Sequence, residues 1–247
     1  MSHPWIDPDW PAPARVQAVS TTRRCGVSAG PYASLNLGGN TADSEQAVAR
    51  NRRSLVRNAG LPGDVFWLRQ VHGMRVVAAH DALPEAEADA VWTDRPGQPL
   101  GVLTADCLPV LLCDQKGSRV AAVHAGWRGL AGGVIEAAAV AMDRPAGDLL
   151  AWLGPAIGPD HFEVGDDVRE RFLAADAQAE RAFHAGRSGH WYADLPLLAR
   201  LRLEGLGVAG IHGGRWCTYA DDKRFFSYRR DGETGRMGTV IWLENDG

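Results

Sequence analysis

Two short apolar runs in the middle of the chain restrict its fold more than any other feature of the sequence. Residues Leu100–Thr104 and 108–113 are mostly aliphatic, and polar and apolar side chains do not alternate along them. Strands with this pattern are buried on both faces, so other layers of structure must cover both sides of the sheet. A chain of 247 residues is long enough to provide those layers.

The links between the predicted elements indicate the type of sheet. Further strands are predicted at 15–21, 65–71, 75–79, 90–93, 119–123, 149–154, 208–212, 225–228 and 238–243, and helices at 43–59, 130–142, 166–175 and 194–205. Several strands follow one another over links too short for a helical crossover, so the sheets must be mixed. We expect an α/β (α+β) fold in which residues 1–247 form one domain of two packed mixed sheets with helices outside.

The composition argues against several classes of function. Hydrophobic residues make up 45% of the sequence, and 26 Lys and Arg stand against 30 Asp and Glu, which gives a net charge of -4. This balance disfavours a polyanionic partner, so nucleic-acid binding is not expected. No segment reaches ~18 uninterrupted apolar residues, and the first residues lack a basic region followed by an apolar one, so neither a membrane partner nor secretion is expected.

The cysteines indicate a reducing compartment. The four of them show no CxxC pair and no dense disulfide framework, and they are Cys25, Cys107, Cys113 and Cys217. We therefore expect a cytoplasmic protein with free thiols, of which at most two do chemistry. As a soluble enzyme it would be a monomer or a weak homo-oligomer.

Three residues that can bind metal each end a predicted buried strand at a turn: His72, Cys107 and His124. Two imidazoles and one thiolate suit Zn²⁺, and three protein ligands leave the fourth position open, as in catalytic zinc sites. Their separations of 35 and 17 residues match no zinc-finger spacing, so the fold must assemble the site. In the alternative interpretation, the histidines bond to backbone and the cysteine is a small buried hydrophobic residue.

The same residues also suit a cysteine hydrolase. Cys107 would be the nucleophile and His124 the base, with Asp106 or another polar group orienting the imidazole. A metal ligand and a nucleophile both require a thiolate, and the spacing does not distinguish the two roles.

Two further segments suit a ligand. Arg128 and the backbone amides of 129–133 stand at a predicted helix start, where unpaired N–H groups favour a phosphate or carboxylate. Residues 217–219 and 225–232 combine aromatic side chains with arginines, a set that suits a planar ring with polar substituents. The alternatives are a glycine-rich turn required only for close packing, and an edge strand with solvated arginines.

Five ordered motifs resemble those of one family. They are RQVHG at 69–73, TADCLPVLL at 104–112, VHAGWRGL at 123–130, LGPAIGP at 153–159, and CTY at 217–219 followed by FFSYRRDGETGRMG. The chain is similar to the multicopper-polyphenol-oxidase-like, or laccase-domain, family, whose bacterial members are called purine nucleoside phosphorylases or peptidoglycan editing factors. The loop at 21–38 fits as well. The sequence departs from the family at Cys25, usually glycine, and at Asn40-Thr41, where a histidine-containing stretch is common.

The resemblance implies a fold related to the catalytic domain of cytotoxic necrotising factor and a zinc site on His72, Cys107 and His124. It implies phosphorolysis of adenosine, inosine and methylthioadenosine to a base and ribose 1-phosphate, with deamination of adenosine as a further reaction. The partners would be a purine nucleoside and phosphate. Catalytic roles fall on Cys107, His124 and Asp106, and contacts with substrate or phosphate on Gln70, Arg128 and Arg229.

Two other functions stay open beside this expectation. One is the editing of a peptidoglycan precursor by hydrolysis of an amide bond, with Cys107 as nucleophile. The other is a non-enzymatic module that binds a metal or ligand, which would be favoured if the three central residues pointed apart or were sealed from solvent. Copper is disfavoured as the cofactor, because a multicopper centre requires HxH pairs and none of the eight histidines is paired in that way.

Overall fold

The two central apolar runs become consecutive strands that lie in different sheets. The computed structural model describes residues 4–245. Its strands are β1 (Val16–Ser20), β2 (Val76–Ala78), β3 (Ala90–Thr93), β4 (Leu100–Thr104), β5 (Leu108–Asp114), β6 (Val120–Ala125), β7 (Leu149–Leu153), β8 (Glu163–Gly165), β9 (Phe183–Ala185), β10 (His190–Ala193), β11 (Gly210–Gly213) and β12 (Met237–Leu243). Its α-helices are α1 (Glu45–Ala59), α2 (Trp127–Gly132), α3 (Val134–Ala141), α4 (Asp166–Leu173), α5 (Leu195–Leu206) and α6 (Tyr228–Asp231).

Strand β5 is central to the larger sheet. That sheet has six strands in the order β11-β7-β5-β6-β3-β2, and it is mixed because β11 with β7 and β2 with β3 are parallel whereas the other pairs are antiparallel. Strand β4 pairs with β12, which also pairs with β1, in a second sheet of three antiparallel strands. The turn between β4 and β5 therefore carries the chain from one sheet to the other.

Both faces of β5 are covered, as the sequence predicts. Val110 and Leu112 pack with Ile135 of α3 and Leu198 of α5. Leu111 and the other residues that face the opposite way pack against the three-stranded sheet. On the far side of that smaller sheet, α1 completes a four-layer arrangement of helix, sheet, sheet and helices. The expected single-domain α/β fold with mixed sheets and outer helices is confirmed, except that the smaller of these two sheets is wholly antiparallel.

Two predicted strands are wrong. Residues 65–71 form only isolated bridges, because Phe66 pairs with Leu100 whereas Arg69 pairs with Glu87, and no single partner extends along the segment. Residues 225–228 do not pair either. The Ser227 hydroxyl accepts a hydrogen bond from the Arg230 amide, so this serine caps α6 instead of continuing a strand.

The predicted helix at 130–142 is two helices. Gly133 has φ +101, a left-handed conformation that ends α2 and precedes α3. Helix α2 also begins at Trp127, earlier than predicted, so Arg128 lies in its first turn. The sequence did not indicate the small third sheet of β8, β10 and β9. Among residues 4–245, no helix is both long and apolar enough to cross a membrane.

A buried asparagine in α1 fixes the long glycine-punctuated loop that precedes this helix. The Asn51 side-chain amide donates hydrogen bonds to the Ser28 hydroxyl at 2.9 Å, to the Asn36 carbonyl at 2.9 Å and to the Ser34 carbonyl at 3.2 Å. Its carbonyl oxygen accepts from the Val27 amide at 2.9 Å. This side chain has no exposed surface, so the groups that it binds lie away from bulk water and depend on it for their hydrogen bonds.

Replacing Asn51 with alanine is expected to lower the free energy of unfolding by about 3 kcal/mol, because several buried polar groups lose their partners at once. Urea denaturation followed by circular dichroism measures this loss. The matched control is Asn58→Ala in the same helix, where the asparagine is exposed and the expected change is within about 0.5 kcal/mol. Equal effects of the two substitutions would show that Asn51 does not anchor the loop.

Candidate active site

The three predicted metal ligands converge where the two sheets meet. His124 is the penultimate residue of β6 and lies opposite Pro109 of β5. Cys107 immediately precedes β5, in the turn that links the sheets. His72 lies in the turn after residues 65–71 and has φ +60. Three segments that are distant in sequence thus bring their side chains to one point.

The distances among these side chains suit one metal ion. One ligand atom from each of His72, Cys107 and His124 lies within 4.8 Å of the others, and the Cys107 Sγ is 3.9 Å from the His72 Nε2. The two imidazole rings meet edge to face, with centroids 4.8 Å apart. These separations are compatible with metal–ligand distances of about 2.0–2.3 Å around a shared ion. Within residues 4–245, no other group of three or more His, Cys, Asp or Glu side chains has this arrangement.

Gly126 leaves room for the three ligands. A Cβ atom at this position would lie 3.1 Å from the His72 Cδ2, 3.2 Å from the Cys107 Sγ and 3.3 Å from the His124 Cε1. A side chain would therefore crowd all three ligands at once. The donor set and this space together fit a metal ion, with all three side chains available to bind it.

Asp89, which the sequence did not point to, orients the His124 ring and holds the backbone of the turn that carries His72. Its Oδ1 is 2.8 Å from the His124 Nδ1 and accepts a hydrogen bond from the His72 amide at 2.9 Å. Its Oδ2 accepts from the Gly73 amide at 2.7 Å. Because Nδ1 of His124 faces this carboxylate, Nε2 is the ring nitrogen left to face the site. The acidic loop before β3 was the only sequence signal for this residue.

In the absence of a metal, neighbouring charges stabilise the thiolate form of Cys107 and the imidazolium form of His124. Burial acts to raise the pKa of the Cys107 thiol, but attraction and hydrogen bonding to His124, helped by His72, lower that pKa to about 6. Burial acts to lower the pKa of the His124 imidazole, but the Cys107 charge and Asp89 raise it. The hydrogen bonds from His124 and the backbone also lower the pKa of Asp89 despite its burial. Cys107 is thus held as a thiolate, the form that both a metal ligand and a nucleophile require.

The thiolate and the two imidazoles open onto a cavity of about 430 Å³. Other residues of its lining come from the loop before α1, from α1 itself, from the acidic loop before β3 and from the C-terminal segment, and they include Asn40, Thr41, Arg52, Glu85, Tyr228 and Arg236. The three central residues therefore neither point apart nor lie sealed from solvent, which removes the condition that would favour a non-enzymatic module. Both positions of the Asn40-Thr41 departure lie on the cavity wall.

Asp106 supports the turn and does not line the cavity. Its backbone has φ +90, which is unusual for a residue other than glycine. Its Oδ1 accepts a hydrogen bond from the Thr218 hydroxyl and its Oδ2 from the Arg229 amide, both at 2.6 Å. The carboxylate is therefore engaged in holding the strained turn that presents Cys107. These contacts do not support the predicted proton-handling role, and Asp89 is the carboxylate that contacts His124.

The three predicted contacts for substrate or phosphate lie in different places. Gln70 lines the cavity, but its side-chain amide exchanges two hydrogen bonds of 2.8 Å with the backbone of Leu103. Arg128 is exposed on α2, where its guanidinium stacks over the Trp127 ring at 4.4 Å, and it is absent from the cavity lining. Arg229 is also outside the lining, and it donates to the Glu163 carbonyl at 2.8 Å. The structure therefore brings only Gln70 to the cavity.

Comparison with known proteins assigns the chain to a family. A family model described as multi-copper polyphenol oxidoreductase laccase matches residues 17–244. The chain belongs to this family. It is 51% identical to a purine nucleoside phosphorylase of Pseudomonas aeruginosa over 98% of this chain and 99% of that protein. It is 48% identical to the purine nucleoside phosphorylase YfiH of Escherichia coli, over 96% of this chain and 98% of that protein.

Solved structures of the family share this fold. A protein of Neisseria meningitidis superimposes with a TM-score of 0.95 at 49% identity, covering 98% of this chain and 100% of the other. The protein YlmD of Geobacillus stearothermophilus gives a TM-score of 0.89 at 29% identity, covering 99% and 98% of the two chains. The resemblance drawn from the five motifs is thereby confirmed. The family's description mentions copper, whereas the observed donor set is a single His-Cys-His group.

Proposed function

We propose that this protein is a zinc-dependent purine nucleoside phosphorylase. The observation that carries the proposal is the convergence of His72, Cys107 and His124 at an open cavity, in a chain whose relatives at about half identity are named purine nucleoside phosphorylases. The reaction joins a hydrogen phosphate oxygen to C1′ of the ribose. The glycosidic electron pair leaves with the base nitrogen, which takes up the proton that the hydrogen phosphate releases.

Zinc is the proposed metal because one thiolate and two imidazoles form a borderline-soft set with an open fourth position. Copper of the multicopper kind requires several histidine clusters, and residues 4–245 offer one His-Cys-His group. When bound, zinc would supply a Lewis acid that stabilises negative charge developing on an oxygen or a leaving group. His72, Cys107 and His124 would hold it, and Asp89 would fix the orientation of the His124 imidazole and the backbone of the turn that carries His72.

The remaining residues of the cavity would bind the substrates. The exposed ring of Tyr228 suits the face of a purine, and Glu85 and Asn40 suit hydroxyl groups of the ribose. Deamination of adenosine is proposed as a second reaction of the same site, in which water adds at C6 and ammonia leaves.

One assay tests these reactions together. Purified protein is incubated with adenosine, with and without phosphate, and ribose 1-phosphate, free adenine and inosine are separated by chromatography. We expect free base, as adenine together with any hypoxanthine released from inosine, and ribose 1-phosphate in equal amounts and only when phosphate is present, with deamination to inosine independent of phosphate. Failure to release base in the presence of phosphate and a full complement of zinc would overturn the proposal.

A hydrolase that uses Cys107 as its nucleophile is the second candidate. It is supported by the lowered pKa of Cys107 and by the Asp89 contact to the Nδ1 of His124, an order of groups also used by cysteine hydrolases. Its substrate would be the amide of a peptidoglycan precursor. Turnover of such an amide in a metal-free preparation, with no release of base from nucleosides, would favour this function over phosphorolysis.

A further inference from the structure

The structure assigns the phosphate subsite to Arg236, which lines the same cavity as Cys107, and not to Arg128. This assignment rests on the phosphorolysis proposed above, because that reaction requires a phosphate next to an uncharged nucleoside. The sequence predicts an anion at Arg128 because a helix start is predicted just after it. The structure instead offers a differently placed cation whose free donors and charge are available to a ligand.

Two arginines line the cavity, and their surroundings differ. The Arg52 guanidinium is 3.6 Å from the Glu85 carboxylate, donates from Nε to the Leu37 carbonyl at 3.0 Å and stacks over the Trp67 ring. Its charge is therefore partly balanced by a protein carboxylate. Arg236 forms no ion pair with any carboxylate among residues 4–245. An anionic ligand is what would balance this second charge.

Arg236 is held in place from its backbone outward. Its amide donates to the side-chain carbonyl of Asn36 at 2.9 Å, and the same oxygen accepts from the Gly38 amide at 2.9 Å. The aliphatic part of its side chain packs closely on Gly38, where a Cβ atom would lie 2.8 Å from the Arg236 Cγ. Its Nη1 donates to the carbonyls of Thr234 and Gly235 at 2.8 and 3.0 Å. The protein therefore holds this side chain in place before any ligand binds.

These contacts use one of the three guanidinium nitrogens. Nε and Nη2 make no hydrogen bond to any residue that the structure describes, and together they form the planar two-donor edge that binds two oxygens of a carboxylate or phosphate. Attraction to Cys107 and Asp106 partly offsets the burial that lowers the pKa of Arg236. Arg236 and Cys107 line the same cavity.

The other candidate groups are already engaged. Gln70 is bound to the Leu103 backbone, Arg229 to the Glu163 carbonyl, and Arg128 stacks on Trp127 outside the lining. A tetrahedral phosphate dianion matches the charge and the two free donors of Arg236. A neutral nucleoside would gain little from the unpaired charge of Arg236, so its purine ring is better placed against Tyr228.

Steady-state kinetics of the zinc-loaded enzyme with Arg236→Met and Arg236→Lys test this assignment. Loss of two charge-assisted hydrogen bonds is expected to raise the KM for phosphate at least ~10-fold in Arg236→Met, with the KM for the nucleoside within about twofold. Arg236→Lys keeps the charge without the planar edge and should fall between that variant and the natural enzyme. Arg128→Ala is the matched control, expected to leave both KM values within about twofold.

Calorimetric titration with inorganic phosphate, without nucleoside, separates this inference from the proposed function. Phosphate binding that is lost in Arg236→Met and kept in Arg128→Ala supports the subsite even if no nucleoside is cleaved. Phosphorolysis with an unchanged phosphate KM in both Arg236 variants would overturn the subsite and leave the function standing. If only Arg128→Ala raised the KM for phosphate, the phosphate subsite would lie at Arg128 on α2. If Arg236→Met fails to fold, the KM for phosphate and the calorimetric titration of Arg236→Lys test the assignment instead.

Discussion

Replacing Cys107 with serine is expected to remove the bound zinc and to lower phosphorolysis by at least ~100-fold. A serine hydroxyl is a harder and weaker ligand than a thiolate, and only His72 and His124 would then hold the ion. The loss should exceed the ~10- to 100-fold effects typical of residues that merely orient ligands. Elemental analysis of the purified variant gives the zinc content, and the adenosine assay gives the activity. Chelation of the natural protein should inhibit in parallel.

The matched control is Cys25→Ser, which changes an exposed thiol in the loop before α1 and is expected to keep both zinc and activity. The nucleophile hypothesis predicts a different outcome. Cys107→Ser would then lose turnover, while chelators would leave the natural enzyme active and an electrophilic substrate would form a covalent adduct on Cys107. Full activity in a metal-free preparation together with such an adduct would contradict the zinc site and favour the amide hydrolase.

Replacing Asp89 with asparagine is expected to have the second-largest effect. The amide has one acceptor oxygen where the carboxylate has two, so its NH₂ group would face either the His124 ring together with the His72 backbone amide, or the Gly73 backbone amide. We expect zinc affinity to fall about 10- to 100-fold, because the His124 imidazole loses its orienting carboxylate and the turn that carries His72 loses backbone hydrogen bonds. We also expect a loss of about 2–3 kcal/mol in unfolding free energy, since hydrogen bonds to a buried charge are lost.

Zinc affinity is measured by competition with a chelating dye, and stability by urea denaturation of the metal-free protein. Asp81→Asn is the matched control, because Asp81 belongs to the same acidic loop and its side chain is exposed. Its expected effect on stability is within about 0.5 kcal/mol, with zinc affinity unchanged. If Asp89→Asn bound zinc as tightly as the natural protein, the carboxylate would not orient the ligands.

Local patterns predicted much of the fold. The unbroken apolar character of β4 and β5 required layers on both faces, and the structure supplies them. Helix starts were readable because Ser44 and Asp194 accept hydrogen bonds from their own helices, contacts that depend on neighbours in the chain. The same kind of signal was missed at Ser227, where two buried phenylalanines favoured a strand. The break at Gly133 was missed because its left-handed backbone is invisible in an otherwise apolar helical pattern.

The candidate site, like the fold, could be predicted from the sequence only in part. Residue type and position at turns made His72, Cys107 and His124 candidates, because few side chains suit the chemistry of a metal or a nucleophile, and the family motifs then favoured them over the structural alternative. Choosing Asp89 over Asp106 required the register of β3 against β6, which places Asp89 beside His124 although Asp106 is nearer in sequence. Choosing Arg236 over Arg128 likewise depended on which carbonyls and carboxylates surround each guanidinium. The sequence by itself thus determined the three candidate metal ligands but not Asp89 or Arg236. Only the tertiary structure decided which partners orient and neutralise them, because those partners come from segments distant in the chain.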